Sequence, residues 1–560
     1  MGHLDSKFLG AGLLVGWFAL GCSSASGGGG GGGGGAAVGG GNSGGFGNFG
    51  SGGGISVGGS GGGSGGDGGF VGDPKTCEEA ALAKTYIGCD FWPTVVANSV
   101  WDIFDFTVVV ANAGDVPADV VIERAGQQWT GTVAPNGLQK FFLPWVPALK
   151  GEQGNSCGSA VPPPASVRAP GGAYHLKSSV PVTVYQFNAL QYKGAGGPPG
   201  KNWSSCPGNQ FCAQYGQAIG CFSFTNDASL LLPTTALTGN YRITGQKGWS
   251  VGMPGYFAVT GTQDGTTVNL KLGATSQIIA GGGLQIAGAG QIVSFPLARG
   301  EVLQVVGTPT SDLSGSLLQA SAPVQVISGM PCVNQPDDKS ACDHIEESVF
   351  PAETWGKRYF VTVPTGPNGN AYGHIVRIFG NVDGTQLSYP SGTPPSAPTT
   401  INAGQVVDIG QVFGSFEIVG DHEFAVGSFM LGGSVVDPQA PVGQQKGDPS
   451  QSLATAVEQF RTKYVFLAPD DYDVSYVDIV MPNGAQVVLD GAPISVSPVA
   501  IGTEFGVARV KLGVGVQGAH LLTSDLPVGI QVMGYGNYTS YQYPGGLNLT
   551  EIAPPPPPVR

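Results

Sequence analysis

The chain has 560 residues, 96 of them glycine, with only 11% charged residues and a formal net charge of −14. An ordinary soluble protein carries about 25% charged residues. An acidic surface with no basic run repels phosphate backbones, which excludes nucleic acid as a partner.

Residues 1–22 read as a signal. Lys7 precedes an apolar run from Phe8 to Leu20, shorter than the roughly 20 residues a bilayer-spanning helix needs. The run closes in Phe18-Ala19-Leu20-Gly21-Cys22. A Gly-Cys pair after small or apolar residues is the pattern of bacterial lipoprotein processing, in which the Cys thiol takes the lipid. The expectation is a cleaved signal, lipid on Cys22, contact with the membrane by that anchor only, and a place in the cell envelope. Ser23, where an Asp would retain the protein at the inner membrane, points to the outer membrane and its surface. Residues 23–72 are nearly all Gly and Ser. They cannot build a core and read as a leash with a mean span on the order of 40 Å. A Gly-x-Ser-x-Gly match at Gly58–Gly62 falls inside this leash, away from any strand-to-helix turn, and carries no chemistry.

The head, residues 73–553, exceeds one hydrophobic core, and its order comes from internal repetition. Apolar strand-like runs lead into Asp264-Gly265, Asp383-Gly384 and Asn483-Gly484, with a divergent copy at Gly114-Asp115. Asp-Gly and Asn-Gly between alternating apolar residues predict hairpins. Behind each comes a second element: Val180-Pro181-Val182, Ala322-Pro323-Val324, Leu526-Pro527-Val528, and a degenerate Glu423-Phe424-Ala425-Val426. Proline lacks a ladder donor, so it is expected at a strand's first residue or on an edge. Ahead of each stands a tyrosine: Tyr86, Tyr241, Tyr359 and Tyr464. These elements predict an all-β head of tandem sandwich-like units, about four diverged repeats of roughly 100 residues. The units fall near 77–226, 227–340, 341–449 and 450–553, and the alternative is a ring or propeller-like closure. Only Cys77–Ala83 and Ser450–Tyr464 have tolerable helical periodicity. Residues 554–560 form a proline-rich tail expected to be extended and unpacked.

Of nine cysteines, the eight beyond Cys22 suit an oxidising compartment and up to four disulfides. Cys332 and Cys342 are isolated and should pair with each other. The partners of Cys77, Cys89, Cys157, Cys206, Cys212 and Cys221 stay open. Gly- and Pro-rich insertions near 150–173 and 191–226 hold four of these cysteines and read as a stapled loop, the expected seat of recognition. The histidines show no metal-ligand spacing. Two acidic runs, Asp337-Asp338 with Asp343, Glu346 and Glu347, and Asp470-Asp471 with Asp473, read as solvated loop carboxylates. No cofactor is expected, and calcium is the alternative for these runs.

Cys342-Asp343-His344-Ile345-Glu346-Glu347-Ser348-Val349-Phe350-Pro351, followed by Thr354-Trp355-Gly356-Lys357-Arg358-Tyr359, resembles the signature of the IgGFc-binding protein N-terminal domain family. That family includes bacterial, notably myxobacterial, surface lipoproteins. Tyr86–Trp92, Pro181-Val182 and Pro323-Val324 support the resemblance, which extends over most of 77–550. Its signature residues here are Asp343, His344, Glu346, Glu347, Trp355 and Gly356. The resemblance implies a secreted, non-catalytic binding or adhesion module whose ligand is an extracellular glycan, matrix component or protein. It carries over no antibody-contacting residue. A structural envelope component is the alternative, and a hydrolase with an unrecognised site ranks below it. Read without the family, His344 is a structural residue, and Trp355-Gly356 packs where one unit meets the next.

Overall fold

A computed structural model describes residues 73–559, apart from 214–215, 340, 442–443, 514 and 516–517. The expected signal, Cys22 and the glycine-rich leash lie outside the described residues.

The expected helix Cys77–Ala83 is present, opened by a capping box in which Thr76 and Glu79 satisfy each other's backbone N–H groups. The second helical expectation fails. Residues 450–464 form strand Gln451–Leu453, one 3-10 turn and the start of strand Arg461–Leu467. Strand pairing across units consumes those apolar residues, and tertiary context overrides a weak local periodicity.

The head is all-β, and each unit is organised by a strand followed by an antiparallel partner. β1 (His175–Asn188) pairs with β2 (Ala228–Leu231), β3 (Val324–Val333) with β4 (Asp343–Ser348), β5 (Phe416–Phe429) with β6 (Gln451–Leu453), and β7 (Ala519–Gly536) with β8 (Thr539–Pro544). The odd-numbered strands bend from one layer to the other. In β5, residues 419–420 pair with Thr385–Ser388, whereas residues 424–429 pair with His374–Gly380. β1 and β7 divide in the same way between Ala118–Arg124 and Phe106–Asn112, and between Val487–Leu489 and Val474–Pro482. In the second unit the bend breaks the chain, so Leu317–Ala320 supplies the first half and β3 the second.

This arrangement corrects the hairpin expectation. Gly265 and Gly384 do take the positive φ, +72° each, that their turns demand. The strands on either side do not pair with each other, however; each pairs with a different half of the bent strand. The turns are arches between layers, because burying both apolar faces against one another outweighs local pairing. The proline expectation also shifts. Pro181 and Pro527 sit inside β1 and β7 at the bend, where the ladder register jumps between Gly88↔Val182 and Asp90↔Lys177, and between Arg461↔Val528 and Lys463↔Thr523. Corner strands change sheets at such irregularities, and no ladder donor is missed there. Val182, Val184, Val324, Val326, Val528 and Ile530 are buried, as an inward-facing strand requires.

Three of the four recurring tyrosines pin a bend. Tyr241 and Tyr359 donate to the carbonyls of Val324 (2.6 Å) and Phe424 (2.5 Å), and Tyr464 to that of Val528. Each hydroxyl also accepts the N–H three residues before it, from Thr238, Gly356 and Arg461. In the first unit the register places Phe91, not Tyr86, at this position. Tyr86 instead accepts the Val465 N–H of the fourth unit.

The even-numbered strands meet one another in a cycle: β2 touches β4, β4 touches β6, β6 touches β8, and β8 touches β2. The four units therefore close into a ring around these axial strands. The tail packs too, contrary to expectation. Ala553 and Pro556 are buried while Pro554, Pro555, Pro557 and Pro558 are exposed, the three-residue period of a polyproline helix. Gln319 donates to the Pro556 carbonyl and accepts from the Val559 N–H.

Candidate functional site

The signature segment becomes β4, in the middle of the ring. Asp343, His344, Glu346 and Glu347 are all 0% exposed, so the reading of these acids as solvated loop carboxylates is wrong. Axial packing of β4 against β2 and β6 takes them out of water. Alternation along the strand splits them into two faces. Glu346 accepts from Gln186 Nε2 (3.1 Å), Ser229 Oγ (2.8 Å), His344 Nε2 (3.1 Å) and the Asn188 amide. His344 is thereby a structural partner. Asp343 Oδ1 accepts the N–H groups of Asn226 and His344, both at 2.7 Å.

The residue at the centre is Asp227, immediately before β2. Its carboxylate accepts from the N–H groups of Glu346 (3.0 Å), Gln451 (2.9 Å) and Ala228 (2.9 Å), and from the Ser450 hydroxyl (2.6 Å). One side chain thus ties β2 to β4 and β6. Burial pushes the Asp227 and Glu347 carboxyls well above their usual range, against the pull of these hydrogen bonds. Asp343 and Asp448 are raised too, Asp343 by burial and then by the neighbouring charges of Asp448 and Asp227.

Sequence reasoning missed Asp227 and Asp448, although a signal was present. Asp227-Ala228-Ser229, Glu346-Glu347-Ser348 and Asp448-Pro449-Ser450 repeat an acid-x-Ser step at the axial strands. Trp355 is buried in a cluster shared with Leu237 of the second unit and Tyr464 of the fourth. A Cβ on Gly356 would come within 2.4 Å of the Ala456 side chain. Both therefore sit at a junction between units.

The remaining predicted residues lie elsewhere. Cys77 is bonded to Cys89, Cys157 to Cys212, Cys206 to Cys221, and Cys332 to Cys342. The second of these joins the two insertions of the first unit, and the third closes the tip of the longer one. Inside that loop Trp203 stacks edge-on against Phe142 at 5.4 Å and donates to Asp105 at 2.8 Å. Phe211, beside Cys212, is 68% exposed. The second acidic run is ion-paired across units: Asp470 and Asp471 meet Lys140 at 2.8 and 2.6 Å, and Asp473 meets Lys193 at 2.8 Å. Among the described residues, no three His, Cys, Asp or Glu side chains group as a metal site.

The family model for IgGFc binding protein matches residues 227–534. The chain belongs to this family. The match begins at the central Asp227 and ends within β7, so it covers the second to fourth units and leaves the first unit outside. The human IgGFc-binding protein is 24% identical over 342 residues, which is 60% of this chain and 6% of that protein. The matched segment is therefore a small part of the curated relative. Within the family's matched region lie the axial carboxylates and all three bend-pinning tyrosine hydrogen bonds, those of Tyr241, Tyr359 and Tyr464.

Proposed function

We propose that the chain is a lipid-anchored, surface-displayed binding protein whose ring is a scaffold and whose first-unit insertion meets the ligand. One observation carries this reading. The acids and the histidine that mark the family, Asp343, His344, Glu346 and Glu347, are sealed inside the axis, where no macromolecule can touch them, whereas the double-stapled insertion holds a large aromatic in solvent. Bound aromatics supply most of the energy at many protein interfaces, and two cross-links hold this loop's shape in advance of binding. The human relative's name states an Fc ligand for that protein, which favours a protein partner over a glycan or matrix component and makes Fc the first probe to try.

The test uses the full chain. Immobilised protein is exposed to immunoglobulin Fc, to extracellular-matrix proteins and to a glycan array. Phe211→Ser should weaken the captured interaction at least about tenfold, as loss of an aromatic anchor does, with the melting temperature unchanged. Undiminished binding by Phe211→Ser would remove the loop from the reading. The anchor is tested apart: Cys22→Ser should take up no labelled palmitate, and labelling equal to the natural chain would refute it.

A further inference from the structure

The axial strands begin at equivalent places, and their first residues converge at one mouth of the ring. Asn226 precedes β2, Asp343 opens β4, Asp448 precedes β6 and Thr539 opens β8. Hydrogen bonds join Asn226 to Asp343 and to Thr539, and Ser540, the next residue of β8, to Asp448. Asn226 N–H donates to Asp343 Oδ1 (2.7 Å), Thr539 Oγ1 donates to Asn226 Oδ1 (2.9 Å), and Ser540 Oγ donates to the Asp448 carbonyl (2.5 Å).

Asp343 and Asp448 are 0% and 1% exposed. Asp343 Oδ2 and Asp448 Oδ1 are nevertheless sealed from water without a hydrogen-bond partner. Asp448 is the charge that acts most strongly on Asp343. A third group completes the arrangement. Tyr472 is packed between Tyr541 and Tyr192, with ring centroids at 4.8 and 5.5 Å. Its hydroxyl is likewise buried and unpartnered, and Asp343 is the charge that acts most strongly on it. Two carboxylate oxygens and a phenol oxygen are thus each enclosed without a donor.

Unpaired buried carboxylates are costly unless neutralised. A single shared proton would quiet one of the two; a divalent cation would quiet both. The available groups are oxygens: Cys342 is consumed in its disulfide, and His344 points along the other face of β4 to Glu346. All-oxygen coordination is the chemistry of hard cations, which accept carboxylates together with neutral oxygens in irregular geometry.

We propose that the mouth of the ring binds one hard divalent cation of the calcium type, ligated by Asp343 Oδ2 and Asp448 Oδ1, with the Tyr472 hydroxyl and neutral oxygens completing the shell. The cation joins the start of β4 to the start of β6. The site does not depend on which ligand the surface loop takes.

The full chain, purified without chelator, is analysed for metal by mass spectrometry, then stripped with EDTA and titrated with Ca²⁺ by calorimetry and thermal melting. About one equivalent of divalent cation is expected, with a fall in melting temperature on stripping that Ca²⁺ reverses and Na⁺ does not. Asp448→Asn should weaken Ca²⁺ binding by about tenfold or more, since affinity follows ligand charge. A chain that carries no divalent metal and melts identically in EDTA and Ca²⁺ overturns the proposal; the carboxylates then share a proton. Should Asp448→Asn fail to fold, the metal content and chelator response of the unaltered chain decide.

Discussion

Tyr359 shows how a single hydroxyl can hold a fold. It accepts the Gly356 N–H at 3.0 Å and donates to the Phe424 carbonyl at 2.5 Å, joining the short strand to the bend of β5. Tyr359→Phe keeps the ring and its packing but leaves two buried backbone groups unpaired, at a cost of about 1–3 kcal/mol. Urea unfolding should show that loss, whereas Tyr86→Phe, whose hydroxyl makes one 3.3 Å contact, should lose less. Equal losses would mean that the bend is held by packing alone. His374 sets a pH dependence. It is buried, its Nδ1 lies 2.7 Å from Ser428 Oγ, and burial, aided by the Arg509 charge, pushes its pKa down to about 3. Unfolded, the ring takes up a proton below about pH 6.5. The folded state therefore resists a proton that the unfolded state binds. Its contribution is complete above pH 6.5 and is lost as pH falls toward 3, on the order of a few kcal/mol in all. Melting between pH 7.5 and 4 should be shallower for His374→Asn than for the natural chain, and identical slopes would exclude His374 as the cause. The tyrosines were legible in sequence because they recur at fixed places before each β run. Their task was not, because the partner carbonyl lies 65 residues away in the case of Tyr359 and Phe424.

The elements were legible as strands and turns but not as pairings. Asp383-Gly384 demands a turn with positive φ whether it closes a hairpin or an arch, and only burial decides between them. The apolar faces of His374–Gly380 and Thr385–Ser388 are satisfied by meeting across the core that holds Val376, Ile378, Leu387 and Ile418. Likewise Pro527 announces an interruption, yet a strand edge and a strand bend both tolerate it. Sequence predicts a stapled, recognition-bearing loop, and only half of it faces solvent: Phe211 is exposed, but Trp203 is 7% exposed and packs into the first unit's core. A composition rich in Gly and Pro hides the few residues that anchor such a loop. Trp203→Ala should cost about 3–5 kcal/mol through lost burial and the cavity it leaves, read as a lowered urea midpoint. A stability change near zero would mean that the loop rests on the unit without supporting it.

At the scale of the whole molecule, the ring is closed by the strands that leave each unit, so no unit owns its boundary. β2 is paired with β1 along one edge and lies against β4 and β8 on the axis. Asp227 then binds backbone N–H groups of β4 and β6 and the Ser450 hydroxyl. Four independent sandwiches would melt in separate steps, as weakly coupled domains do. Units that share an axis must lose it together. Unfolding followed by far-UV circular dichroism and by tryptophan fluorescence should therefore coincide, even though Trp92, Trp101, Trp129, Trp145 and Trp203 all belong to the first unit and report on it most. Asp227→Ala removes the acceptor for those N–H groups, and each buried donor left unpaired costs about 1–3 kcal/mol. If the axis couples the units, the variant shifts both probes by the same amount. If the units stand alone, the tryptophan transition stays where it was while the dichroism transition spreads, and the ring is then an arrangement of neighbours without a common fate.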